Sequence, residues 1–493
     1  MANLKSLAKD TFIYGLSSII GRFLNYLLVP LYTAKISAAS GGYGVITNMY
    51  ALSALMVVLL TFGMETTFFR FSNKAGENPQ RVFSTALIGV GTVSLAFVAL
   101  VLLLISPISS GLGYAATPQY VWVMAITVAL DAMRAIPFAY LRQQKKALKF
   151  ASLQLLNIAL TIVLNLIYYL LMGGSDPAYA FYINLVCSAV ILLATYQELR
   201  GLRHGFDPAL MRRMVAYSWP ILILGIAGIL NQVADKILFP FIYDGTDGKQ
   251  QLGIYGACAK IAMIMAMITQ AFRYAYEPYV FGKTGDRDND ESQAKAMKFF
   301  IIFTLLAYLC VVGWMPLLKH VIASDYWEGL RVVPIVMAAE IMMGIYFNLS
   351  FWYKLSDRTI WGAVFSGVGC SVIVLANLIF VPRYGYMACA WAGFAGYGVS
   401  MLLSYVVGQK YHPIRYPLRD IGIYTVLTVV LCFAMLLLQR HVPVVPSLAV
   451  STAFIALFAT VIVRRDFPLS GLPLVGKYFQ RQDKQQSSIN NKA

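Results

Sequence analysis

Residues 11–33 read TFIYGLSSIIGRFLNYLLVPLYT. The stretch is long enough to cross a bilayer, whose hydrocarbon core of roughly 30 Å takes about 20 mostly apolar residues in helix. It carries one charge, Arg22, near its middle. A central arginine costs at least about 2.5–3.5 kcal/mol on insertion scales, so it persists where it faces a protein interior or a wet cavity. Most of the chain repeats this pattern. Apolar spans fall at 10–34, 43–69, 83–107, 118–141, 150–173, 177–199, 213–243, 252–281, 296–319, 327–353, 359–381, 385–409, 418–439 and 443–463. The fold expected is an all-α integral membrane protein with fourteen transmembrane helices.

Composition agrees. The chain of 493 residues is 59% hydrophobic and only 12% charged, where a soluble domain has about 25% charged residues. Its mean hydropathy is +0.68. A net charge of +17 would suggest nucleic acid in a soluble protein, but in a membrane protein it marks cytoplasmic loops. Of 39 Lys and Arg, 28 fall in segments on one side of the membrane, 5 in loops on the other, and six (Arg22, Arg134, Lys236, Lys260, Arg273, Arg331) inside spans. That alternation places both termini in the cytoplasm. The six cysteines are scattered singly in apolar spans, so neither a disulfide framework nor a metal site is indicated. No HExxH, nucleotide-binding loop or GxSxG occurs, which argues against a hydrolase or an ATP-driven pump and implies no cofactor.

An internal repeat is visible. Asn25 and Pro30 match Asp235 and Pro240 at an offset of 210, and Tyr43-Gly44 and Glu65 match Tyr255-Gly256 and Glu277 at an offset of 212. The expected organisation is an N-lobe over 1–205, a C-lobe over 206–412, two further helices within 413–466 and a cytoplasmic tail over 467–493. Two halves related by an axis along the membrane normal make a transporter with its substrate site between them. Pro30 and Pro240, each inside a helix, are hinge candidates, with static bends as the alternative.

The N-terminal LAKDTFIYGLSSIIGRFLNYLLVPLYT and the following GGYGVITNMYALSALMVVLLTFGMETTFFRFSNK, on fourteen spans with a six-plus-six repeat, resemble the polysaccharide-transporter branch of the multidrug/oligosaccharidyl-lipid/polysaccharide exporter superfamily. The resemblance covers roughly residues 1–465 and is greatest to Wzx-type flippases of lipid-linked oligosaccharides. It implies a V-shaped pair of lobes working by alternating access. It also implies a substrate of undecaprenyl-pyrophosphate-linked glycan, flipped outward across the bacterial cytoplasmic membrane. Membrane lipid, a coupling proton or sodium ion, a polysaccharide polymerase and glycosyltransferases are the partners it implies. A multidrug or cation exporter of the same superfamily and a lipid II flippase are the alternatives.

The intramembrane charges give the candidate site. A pyrophosphate headgroup crossing a low-dielectric interior needs fixed positive charge, and arginine suits phosphate through its donor fork. Arg22, Lys260, Lys236 and Arg134 are the candidates for the anion, and related flippases carry arginine in the helix of Arg22. Lys236 follows Asp235 directly, so the two face different ways along a helix. Pairing of the two is therefore not assumed, and contact of Asp235 with Lys260 on the next helix, which would make Lys260 a structural partner, is the alternative to a substrate-facing Lys260. Asp131 and Arg134 share a helix face and read either as a self-neutralised pair or as a proton-linked switch. Glu340 has no basic residue one turn away and joins Asp131 and Asp235 as an ion-coupling candidate. Arg273 and Glu277, four apart, read as a structural pair, and Glu65 is expected to pair with Arg70 or a neighbour. Amides inside the spans (Asn25, Asn48, Gln154, Asn157, Asn165, Asn231, Gln232) either bind sugar hydroxyls or join helices, helix joining being the default.

Overall fold

A computed structural model describes residues 26–74, 76–282, 288–356 and 358–466, and among these it is helical throughout, with no strand. The principal helices are α1 (Leu28–Lys35), α2 (Gly42–Thr61), α3 (Met64–Ser72), α4 (Pro79–Leu103), α5 (Gln119–Gln143), α6 (Ala147–Asn165), α7 (Ala178–Ala194), α8 (Pro208–Ile242), α9 (Gly248–Gly282), α10 (Asp288–Gly313), α11 (Val333–Leu349), α12 (Ile360–Tyr384), α13 (Tyr386–Tyr411), α14 (Leu418–His441) and α15 (Val444–Arg465). Twelve helical stretches among the described residues are long and apolar enough to cross a membrane, and α7 adds a shorter apolar helix. Each span expected from residue 43 onward coincides with one of these thirteen. The first span, with Arg22 and Asn25, lies mostly outside the described residues.

Local sequence sets the helix ends. Asn78 and Asp207 each precede a proline at the first helical position, and their side chains accept from Gln80 N and Leu210 N. This is the polar cap followed by a residue with no amide hydrogen to satisfy. The Leu210 amide, with the Arg81 guanidinium beside it, holds the Asp207 carboxyl below its usual range. Between α2 and α3 the chain turns through two left-handed residues, Phe62 and Gly63. The helix is broken there without leaving the membrane stretch Gly42–Ser72.

The chain forms two compact units. The first comprises Met1–Thr284 and Val321–Pro413. One of its packed cores joins Phe68, Phe83, Ala132, Ile136 and Met214, all essentially inaccessible. Leu103 and Leu171, by contrast, are about four-fifths exposed, as residues facing lipid tails are. The second unit comprises Gly285–His320 and Ile414–Ala493. In it α10, α14 and α15 meet at a charge cluster. Lys298 Nζ lies 2.7 Å from Asp420 Oδ2 and also pairs with Asp466. The Tyr424 hydroxyl donates to Asp466, and Arg465 pairs with Asp420.

A second ion pair ties α6 to the turn after α7. Lys149 Nζ lies 2.7 Å from Glu198 Oε1, and the Glu198 side chain is only 3% exposed. Lys149→Met removes the partner of a buried carboxylate. A loss of about 2 kcal/mol is expected, below the full range for buried pairs because Lys149 itself is partly solvated. Thermal unfolding in detergent measures it. Glu198→Gln, which removes the charge as well, is the milder control.

Candidate functional site

The first unit encloses a cavity of about 730 Å³. Its wall is drawn from α1, α2, α5–α9 and α11–α13. Four basic side chains line it (Arg134, Lys236, Lys260 and Arg273) against two carboxylates, Asp235 and Glu340. Of the sequence candidates, Arg134, Lys236, Lys260, Asp235 and Glu340 come together here. Asp131, Pro30 and Pro240 are outside the lining. Pro240 lies within α8, two residues before its end, and Pro30 is the third residue of α1.

The basic groups differ in what holds them. Lys236 Nζ lies 3.0 Å from both carboxylate oxygens of Asp235, and the Tyr255 hydroxyl donates to Asp235 Oδ2 at 2.6 Å. These chain neighbours, whose pairing helix geometry alone does not imply, thus do pair. The two Cβ atoms do diverge, but the four-carbon lysine stem folds back far enough to chelate the aspartate. With both oxygens of Asp235 engaged, the alternative partnership with Lys260 does not form. Lys260 is exposed while Cys258, Ala259, Ile261 and Ala262 around it are buried. Its exposure is therefore to the cavity, and it has no carboxylate partner among the described residues.

Arg134 Nη2 lies 3.2 Å from Asp131 Oδ1, and the Ser188 hydroxyl donates to the same oxygen at 2.6 Å. This is the shared-face pair read from the i, i+3 spacing. Arg273 lines the cavity with its guanidinium 4.3 Å from the Phe347 ring centroid, a cation–π distance; the expected pairing with Glu277 falls on a side chain outside those described. The legible signal was the spacing of Lys260, Met263, Ala266, Gln270 and Arg273, three or four apart on one helix and all in the lining. Glu65 pairs with Arg142 rather than Arg70, whose guanidinium lies 4.1 Å from the Tyr217 ring.

The amides divide in the same way. Asn48 Nδ2 donates to Lys236 O at 2.8 Å while Oδ1 accepts from the Tyr114 hydroxyl. Asn165 accepts from the Tyr32 hydroxyl and donates to Thr161 O. Asn231 donates to Ser366 and Ala227 O. These join helices. Asn231 and Gln232 also line the cavity, as do Asn157 and Asn184, which make no side-chain hydrogen bond among the described residues.

Next to the cavity residues Tyr43 and Tyr255, α2 crosses α9 near the first turns of both helices. A Cβ on Gly44 would stand 1.8 Å from Lys249 O, and one on Gly253 would stand 2.9 Å from Gly44 N. Backbone therefore touches backbone, as glycine alone permits. The repeat noticed as Tyr-Gly extends to this contact, since Gly41-x-Tyr43-Gly44 and Gly253-x-Tyr255-Gly256 match throughout. The loop before α2 is fastened to the segment before α11. Asp325 Oδ2 accepts from Ala38 N at 2.6 Å, and the Tyr326 hydroxyl donates to Ile36 O at 2.7 Å.

A multi-pass helical membrane protein with a basic cavity inside its larger unit is the architecture of a transporter. The chain belongs to the polysaccharide biosynthesis protein family, whose model matches residues 7–280. Its fold is similar to that of the lipid II flippase MurJ in an inward closed conformation, with a TM-score of 0.72, 15% identity, and 92% of this chain and 99% of that chain covered. It is also similar to an inward-facing multidrug resistance MATE transporter of the MOP superfamily, with a TM-score of 0.64, 12% identity and coverage of 79% and 94%. A third likeness is to the MATE multidrug transporter DinF-BH, with a TM-score of 0.58, 15% identity and coverage of 83% and 96%. At these identities the likeness is one of fold. No curated protein sequence matches the chain.

Proposed function

We propose that the chain is a flippase that moves an undecaprenyl-pyrophosphate-linked oligosaccharide, the repeat unit of an O-antigen, capsule or exopolysaccharide, from the inner to the outer leaflet of the bacterial cytoplasmic membrane. The observation that carries this reading is Lys260, a cation exposed in an intramembrane cavity without a carboxylate partner among the described residues. A free ammonium in a membrane interior is costly unless an anion visits it. Arg22, Arg134 and Lys236 complete the proposed anion contacts. Asp235, Glu340 and Asp131 are the proposed sites at which proton or sodium binding is coupled to movement, and Pro30 and Pro240 the proposed hinges. The two lobes, 1–205 and 206–412, alternate in access with both termini cytoplasmic and no chemical step. A cation exporter would need carboxylates in excess, and the lining has the opposite balance. The likeness to a lipid II flippase favours a peptidoglycan precursor as the second reading, and the family match favours the polysaccharide precursor.

The test is flipping by the purified full-length protein in liposomes, offered fluorescent undecaprenyl-pyrophosphate-linked oligosaccharide and lipid II in parallel. Flipping of the oligosaccharide lipid above protein-free liposomes is expected, with Arg22→Ala slower by tenfold or more. Preference for lipid II selects the second reading. Efflux of a cationic dye with neither lipid moved overturns both, and wild-type rates in Arg22→Ala remove that residue from the site.

A further inference from the structure

Asn157 and Asn184 face the cavity from α6 and α7. The Asn157 Oδ1 atom is buried without a hydrogen-bond partner, and the Asn184 side chain has none among the described residues. An unpartnered amide inside a membrane protein is destabilising, and such groups normally bind backbone or one another. Asn48 and Asn165 do so through both ends of the amide, and Asn231 does so through Nδ2. Thr161, one turn from Asn157, also lines the cavity, its hydroxyl donating to Asn157 O at 2.8 Å. The α6 and α7 residues in the lining carry no charge, and Arg134 beside them is held by Asp131.

From these residues we infer that α6 and α7 form the glycan subsite, and that it selects an uncharged, hydroxyl-bearing sugar next to the pyrophosphate. The inference rests on the proposed flippase reading. Each amide presents a donor and an acceptor, the complement of a sugar hydroxyl or acetamido group. The charged wall of α8 and α9, with Lys236, Lys260 and Arg273, takes the phosphates. The cavity thus separates a sugar-reading side from an anion-holding side.

Binding to the full-length protein in nanodiscs tests this with three lipids: undecaprenyl pyrophosphate, the same lipid carrying N-acetylglucosamine, and the same lipid carrying glucuronic acid. Wild type is expected to bind the N-acetylglucosamine lipid at least about tenfold more tightly than the bare lipid, and the glucuronic acid lipid no better than the bare one. In Asn157→Leu/Asn184→Leu the tenfold difference disappears while affinity for bare lipid stays within about twofold. The melting temperature does not fall, because no protein hydrogen bond is lost. The single variants Asn157→Leu and Asn184→Leu give partial losses of the same kind and decide the matter should the double variant not fold. Equal loss for bare and glycosylated lipid, a lowered melting temperature, or a retained tenfold difference overturns the subsite and leaves the flippase reading standing. A wild type that binds none of the three lipids overturns the flippase reading and the subsite together.

Discussion

Gly44→Val is expected to abolish transport, with a fall of at least about 100-fold, while leaving the protein folded in the membrane. Even the first carbon of a side chain at this position would stand 1.8 Å from Lys249 O, 2.8 Å from Lys249 C and 3.0 Å from Gly253 N. All three are backbone atoms, so no rotamer change relieves the overlap and α2 and α9 must separate. Overpacking of a close contact costs about 1–3 kcal/mol where side chains yield. Here the state with the seam closed is disfavoured by more than that, which converts to a population change of 100-fold or greater. On the proposed topology the seam closes the external end of the cavity. In a cysteine-free background carrying Thr47→Cys, an impermeant maleimide added outside should therefore label Gly44→Val faster than its parent. Gly256→Ala is the graded control. Its Cβ would meet Thr47 Oγ1 at 2.3 Å, and that side chain can rotate away. Wild-type transport and labelling in Gly44→Val would show that the crossing plays no part in gating.

Lys260→Met is expected to lower affinity for undecaprenyl pyrophosphate by about 10- to 100-fold, the worth of one charge-assisted hydrogen bond of about 1.5–3 kcal/mol. Thermal stability should hold or rise, because the side chain has no carboxylate partner to leave behind. Lys236→Met should behave oppositely in stability. It strands the Asp235 carboxylate, which is 8% exposed and otherwise held by the Tyr255 hydroxyl, and loss of one partner of such a pair costs about 3 kcal/mol or more. The pair of variants separates a cation that no protein carboxylate holds from one that the fold also uses. Unfolding temperature and lipid affinity, measured on the same preparations, read both. If Lys260→Met binds the lipid as wild type does, the free ammonium serves something other than phosphate.

The helices were legible because a membrane span is a property of consecutive residues. Run length, charge-free composition and the alternation of Lys and Arg between loops locate thirteen of the expected spans to within a few residues. Charge pairing was legible only where partners lie on one helix. Asp131 and Arg134, three apart, were readable, whereas Glu65 and Arg142 are 77 positions apart and were not. The pairing of Asp235 with Lys236 was left open because helix geometry fixes where a Cβ points and not how far a long side chain returns. The amides were the hardest. Asn48 and Asn157 have the same chemistry and sit in similar apolar runs. One is satisfied by Lys236 O and Tyr114, the other by nothing among the described residues. That difference exists only once separate helices have packed. Arg273 lay between these cases, its cavity position recoverable from the periodicity of α9 and obscured by the nearer carboxylate at Glu277.

The charge cluster of the second unit bears on how the chain is made. Lys298 is 122 positions from Asp420 and 168 from Asp466. At synthesis rates of about 5–20 residues per second, Lys298 is polymerised roughly 6–24 s before the first of these carboxylates. Through that interval the lysine has neither aspartate to neutralise it, while α11, α12 and α13 are threaded and join the other unit. The second unit is therefore assembled last, by helices that return to one already waiting in the bilayer. A nascent chain arrested before residue 420 would hold Lys298 without either partner, in the form that a quality-control protease or an insertase sees.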